Sequence, residues 1–148
     1  MVLIFAPVWV LKMFPTFLLS KQAWNAIASN DRQFPQTTAK NFFIYTLGNR
    51  PSEATDRLLN YISDLDEVFI LHSSINNDSA GNVFPTIHEW LKLISEADVV
   101  LTNSFHGMVF SIILNRNFIV LPSTGSTKGM NERMVSLLKK LSLSERLL

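Results

Sequence analysis

The chain has 148 residues, 47% of them hydrophobic, a net charge of +1 and no cysteine. That length suits one domain with a real core, and the missing cysteines exclude disulfides and thiolate metal sites. Thirteen basic and twelve acidic residues are spread without blocks, so no clustered Lys/Arg groove for nucleic acid is present.

Met1 to Leu19 is almost wholly apolar, interrupted by Pro7, Lys12 and Pro15. A signal peptide places its charge before the apolar run and ends in small residues, whereas here bulky Phe14, Phe17, Leu18 and Leu19 follow Lys12. Two prolines and a lysine also make a poor membrane span. The expected role is an interdomain segment. The expected location is cytoplasmic, with membrane association as the alternative reading of this segment. Ser20 to Ala28 forms a short predicted helix, and Asn30 to Lys40, with Pro35, a loop. These residues make up a predicted N-terminal unit, 1–40, ahead of a Rossmann-like unit, 41–148.

From Asn41 the pattern becomes regular. Asn41 to Leu47 is a predicted strand that runs into the turn Gly48-Asn49-Arg50-Pro51. Ser52 caps a predicted helix in which Leu58, Leu59, Ile62 and Leu65 recur at helical spacing. Glu67 to His72 is the second predicted strand and Ser73 to Val83 a polar loop. Thr86 and Glu89 make a capping box for a helix expected to bury Ile87, Trp90, Leu91 and Ile94. Asp98 to Thr102 is the third strand, followed by a helix from Phe105 to about Leu114. Phe118 to Leu121 is the fourth, and Pro122 to Gly129 a Ser/Thr/Gly loop. Asn131 is the predicted cap of a last helix with Met134, Leu137, Leu138 and Leu141 on its core face. Four strands alternating with helices predict an α/β fold with a parallel sheet.

Thr102-Asn103-Ser104-Phe105-His106-Gly107 is the most chemically loaded stretch. It falls at the carboxyl end of a predicted parallel strand, where open α/β sheets bind ligands. With Ser104 as N-cap, His106 and Gly107 enter a first helical turn whose unpaired N–H groups attract anions. His106 is a candidate acid–base group; its bland alternative is a satisfied structural histidine. Gly107 either lets the helix pack against a strand or admits a substrate to the backbone. Ser104 needs no ligand to explain it as a cap.

His72, at a strand end, is a weaker candidate for the same crevice, and His88, beside Glu89, reads as solvated. Arg133 falls in the predicted first turn of the last helix, where the dipole disfavours a cation. Either an anion relieves that conflict, or Arg133 pairs with Glu132 or is solvated. Lys128 and Gly48-Asn49-Arg50 are weaker anion candidates. The three histidines and scattered carboxylates show no metal-ligand spacing. G-x-S-x-G, G-x-G-x-x-G and G-x-x-x-x-G-K-[ST] are absent, which argues against hydrolase-elbow, dinucleotide and P-loop chemistry.

The run from Ala97 to Gly107, then Asn117 to Leu121, Asn131-Glu132-Arg133 and Leu137 to Leu143, resembles the polysaccharide pyruvyl transferase family. Pro15-Thr16-Phe17-Leu18-Leu19 is similar to a stretch that precedes the second half of such enzymes, although Phe14 stands where an acidic residue is common. The resemblance covers roughly residues 15 to 148. It implies the C-terminal half of a GT-B-like enzyme, with the N-terminal domain as a missing partner. The implied reaction moves pyruvate from phosphoenolpyruvate, as donor substrate with no cofactor, onto two hydroxyls of a sugar in a cell-surface polysaccharide. The acceptor is a saccharide or a lipid-linked saccharide, placing the reaction in exopolysaccharide biosynthesis. His106 matches the motif histidine and is assigned acid–base transfer. Asn103, Ser104, Gly107 and Arg133 are assigned to substrate binding. The rival readings are a GT-B glycosyltransferase using a nucleotide sugar, and an inactive fragment or degenerate copy.

Overall fold

The computed structural model describes residues 38–47, 52–74, 82–122 and 128–148. The predicted helix at 20–28, the apolar segment 1–19, Gly48 to Pro51 and the loop residues 75–81 and 123–127 lie outside them. The described chain runs β1 (Lys40–Thr46), α1 (Glu53–Ser63), β2 (Val68–Ser74), α2 (Ile87–Glu96), β3 (Val99–Thr102), α3 (Phe105–Ile113), β4 (Asn117–Val120) and α4 (Lys128–Lys140). A short 3₁₀ turn, Ser144–Arg146, follows. The four strands form one parallel sheet in the order β2-β1-β3-β4, flanked by helices in a Rossmann-like arrangement.

Alternation along the strands separates two apolar layers. Phe43, Val100, Phe118 and Val120 face a core shared with Leu93 and Ile94 of α2, Met108 and Val109 of α3, and Met134, Leu137 and Leu138 of α4. Ile44 and Leu101 face the other side, against Ile62 of α1 and Leu121.

The helix starts follow their sequence signals. The Ser52 hydroxyl accepts from the Thr55 amide at 3.2 Å. The Thr86–Glu89 capping box forms with both reciprocal bonds in place, as the pattern requires.

Four expectations are corrected. β2 runs through Ser74, because its ladder with β1 continues over Tyr45–Ser73 and Thr46–Ser74 irrespective of side-chain polarity. Leu65 falls beyond the end of α1 rather than on its apolar stripe. Ile87 is 76% exposed, since the first position of α2 turns away from the core. α4 begins at Lys128, three residues before Asn131, with Gly129 in the first turn, where few intrahelical bonds yet depend on it.

Candidate functional site

The chain lays β2 on one side of β1, then crosses to place β3 on the other. This reversal leaves a crevice beyond the carboxyl ends of β1 and β3, the position at which open α/β sheets take ligands. Leu47 leaves β1 and Asn103 leaves β3 on its two sides, and a single amide ties them together. The Leu47 N–H donates to Asn103 Oδ1 at 2.6 Å, and Asn103 Nδ2 donates back to the Leu47 carbonyl at 3.0 Å. Asn103 is 6% exposed, so its side chain fixes the crevice floor rather than standing free in it.

The β3–α3 turn is laced by short polar contacts. The Ser104 N–H donates to Thr102 Oγ1 at 3.0 Å, and Ser104 Oγ accepts from the Gly107 N–H at 3.3 Å. Ser104 is thus the N-cap of α3 and is buried, while still contributing to the crevice wall. A Cβ on Gly107 would lie 2.5 Å from Thr102 Oγ1 and 3.1 Å from its methyl. Of its two readings, close helix-to-strand packing therefore accounts for this glycine. The Met108 N–H bonds the Ser104 carbonyl at 3.0 Å. Among the described residues, the N–H groups of Phe105 and His106 keep no partner. They are the free donors at the positive end of α3.

Around these donors stand an imidazole and a guanidinium. His106 is exposed and lines a cleft of about 450 Å³. Its ring meets Phe105 edge-on, 6.1 Å between centroids. The Arg133 guanidinium lies 4.5 Å from the centroid of the same Phe105 ring. Stacking uses the guanidinium face and leaves its N–H edge open. Arg133 is exposed, and no ion pair to it is present among the described residues. Its expected place in a first turn is corrected: it is the sixth residue of α4. The dipole conflict therefore disappears, and the reason to regard Arg133 as an anion contact becomes its position over Phe105.

The rest of the cleft was not legible as a site. Among the described residues, Tyr45 and Leu47 from the end of β1, Ser73 from β2, Phe84, Pro85, Ile87 and Trp90 around the start of α2, and Phe110 of α3 also line it. Trp90 meets Tyr45 and Phe110 edge-on, at 5.2 and 5.5 Å between centroids. Burial pushes the Tyr45 phenol above its usual range, because a phenolate would lose its hydration there. Phe84 and Pro85 fall between the predicted polar loop 73–83 and the capping box at Thr86, with no local pattern that points to the crevice.

His72 does not border the cleft. Its register partner is Ile44, on the α1 side of the sheet, and the next residue, Ser73, reaches the cleft instead. Burial holds the His72 imidazole below the usual histidine value. His88 is exposed in the first turn of α2, away from the cleft lining. Lys128 belongs to α4 rather than to a loop, and Gly48-Asn49-Arg50 lie outside the described residues. Among the described residues, no three His, Asp or Glu side chains gather closely enough to hold a metal. No described helix is long and apolar enough to cross a membrane.

No curated protein and no solved structure matches the chain. The polysaccharide pyruvyl transferase family model matches residues 15–125, which includes Asn103, Ser104, His106 and Gly107 and stops short of Arg133. With the match spanning most of its length, this chain belongs to the polysaccharide pyruvyl transferase family.

Proposed function

We propose that this domain supplies one wall of a pyruvyl transferase site, which moves the pyruvyl group of phosphoenolpyruvate onto two hydroxyls of a saccharide as a cyclic ketal. The acceptor belongs to a cell-surface polysaccharide or its lipid-linked precursor, and an N-terminal domain in a GT-B-like arrangement supplies the other wall. One observation carries this reading. The exposed His106 lines a ligand-sized cleft and meets edge-on the Phe105 ring over which the Arg133 guanidinium lies.

The reaction makes distinct demands. A proton must reach the enol methylene, making C2 electrophilic. One sugar hydroxyl then adds to C2 and a second displaces phosphate. Of the two hydroxyl protons, one is balanced by the new methyl group and the other leaves with phosphate. His106 is the group suited to carrying a proton between hydroxyl and methylene. Arg133 offers a planar fork for carboxylate or phosphate, and the Phe105 and His106 amides offer N–H donors to the other anionic group. Asn103, Ser104 and Gly107 serve by holding this turn in place.

Calorimetric titration with phosphoenolpyruvate, and separately with a nucleoside diphosphate, tests the reading. Phosphoenolpyruvate is expected to bind, and Arg133→Ala to weaken it by about 1.5–3 kcal/mol, the usual worth of a charge-assisted contact. Arg133→Lys is expected to recover part of that, since an ammonium lacks the planar fork. Tight nucleotide binding with no phosphoenolpyruvate binding would instead favour the glycosyltransferase reading.

A further inference from the structure

The cleft beside His106 has a chemical character that the anionic donor does not match. Among the described residues its lining comprises four aromatic rings, Leu47, Pro85, Ile87, two serines and His106, with no lysine or arginine. Phosphoenolpyruvate carries a carboxylate and a phosphate, and moving such charges from water against unpaired aromatic walls is strongly unfavourable. The Arg133 guanidinium and the Phe105 ring beneath it are not part of that lining. A neutral ring with one apolar face and a rim of hydroxyls has the opposite requirements, and the cleft meets them.

Phe84 is 63% exposed at the cleft, so a flat apolar surface is already in place without any rearrangement of the core. Tyr45 and Ser73 are register partners on adjacent strands, and both contribute to the cleft wall. Neither hydroxyl has a hydrogen-bond partner among the described residues. Burial keeps the Tyr45 phenol protonated, so it both donates and accepts, as does a serine. A volume of about 450 Å³ falls within the range of small-molecule clefts, ~300–1,000 Å³.

We propose that this cleft is the acceptor subsite: it takes an uncharged pyranose ring, with Phe84 as the stacking platform and the Tyr45 and Ser73 hydroxyls as polar contacts. The proposal rests on the pyruvyl-transfer reading and divides its substrates between two sides of His106. The anion lies toward Arg133 and the sugar toward Phe84, with the imidazole within reach of both.

Saturation-transfer NMR and titration of the chain with the methyl pyranosides of galactose, glucose and mannose test this directly. At least one is expected to bind saturably, with the ring protons of one face receiving most of the saturation. Phe84→Ala is expected to weaken that binding about tenfold, in line with a lost aromatic contact, and Phe84→Trp to retain it. Because Phe84 is largely exposed, its truncation removes little core, and a thermal melt checks that the fold persists. Tyr61→Ala, an exposed ring on α1 outside the cleft, is expected to change nothing. Saturating phosphoenolpyruvate is expected not to displace the pyranoside. Absence of binding by all three pyranosides, indifference to Phe84→Ala, or displacement by phosphoenolpyruvate would each overturn the subsite. Pyranoside binding without any phosphoenolpyruvate binding would remove the donor reading and leave the cleft assignment standing.

Discussion

At the scale of single residues, the β3–α3 turn shows how little freedom the motif leaves. The space where a Gly107 side chain would stand is occupied by Thr102, whose Oγ1 is also the acceptor for the Ser104 amide. Gly107→Ala is therefore expected to destabilise the domain by about 1–3 kcal/mol through overpacking. Adding Thr102→Ala removes the clash but leaves the Ser104 amide without its acceptor. The double variant is then expected to be more stable than the sum of the two single losses. Urea unfolding of the three variants measures that coupling, and strict additivity would show that the two side chains do not compete for one space. His106 is a different kind of residue: it is exposed, and its ring meets that of Phe105 edge-on. His106→Ala is expected to leave stability nearly unchanged. On the proposed pyruvyl-transfer reading, in a protein that also carries the proposed N-terminal domain, the same variant is expected to lower phosphate release from phosphoenolpyruvate by about 10²–10⁴-fold, the usual span for an acid–base group. His72 adds a pH dependence on the opposite face. Its folded-state value lies below the ordinary 6.5 because of burial, so the unfolded chain binds the proton more readily. The corresponding stability is present above about pH 6.5 and is lost as pH falls through that unfolded value. The urea midpoint is expected to fall from pH 8 to pH 5.5, and His72→Gln to flatten that slope.

At the scale of elements, the crevice depends on one amide joining two strand ends that are distant in sequence. Asn103 replaces the ladder bonds that β1 and β3 no longer make beyond Tyr45 and Thr102. Asn103→Ala leaves a donor and an acceptor of Leu47 without their partner, at an expected cost of about 1–3 kcal/mol. Asn103→Asp is the sharper test. A carboxylate still accepts from the Leu47 N–H but turns a second lone pair toward the Leu47 carbonyl, so it is expected to restore only part of the loss. Equal stability of the Asn and Asp forms would mean that the second bond contributes nothing. The same amide illustrates what sequence could and could not disclose. Ser104 as cap, the Thr86–Glu89 box and the four strands were legible, because capping and periodicity are local and each leaves its pattern within a few residues. Asn103 gave no local sign of its partner in Leu47, since that contact depends on strand order. Arg133 could be singled out, but for a reason that failed once α4 began at Lys128; its place over Phe105 is tertiary. The cleft wall was the least legible part. Tyr45, Ser73 and Phe84 come from three different segments, and only the crossing from β2 to β3 brings them together.

At the scale of the whole molecule, the sheet has two edges, and among the described residues each is closed over only part of its length. On β2, Asn82 forms a parallel bridge to His72, with the Val83 N–H bonded to the His72 carbonyl at 2.8 Å. On β4, the chain returns after the 3₁₀ turn so that Leu147 bridges Val120, and the Leu148 N–H donates to the Val120 carbonyl at 3.0 Å. Arg146 covers the Phe118 ring on that strand at 5.8 Å, and Leu143 and Leu147 pack on the larger core. This strap occupies an edge that would otherwise offer unpaired N–H and C=O groups to another chain. Removing Ser144–Leu148 therefore withdraws a partly buried leucine and its edge bonds together. The expected loss is roughly 2 kcal/mol, close to the burial of one such side chain. Two measurements separate packing from edge protection. The urea midpoint is expected to fall for the truncated chain and also for Leu147→Ala. Self-association, followed by light scattering across a concentration series, is expected to rise in the truncated chain and much less in Leu147→Ala, which keeps the backbone strap. Equal association of the two variants would mean that apolar exposure, rather than the open β4 edge, governs the behaviour of this end of the sheet.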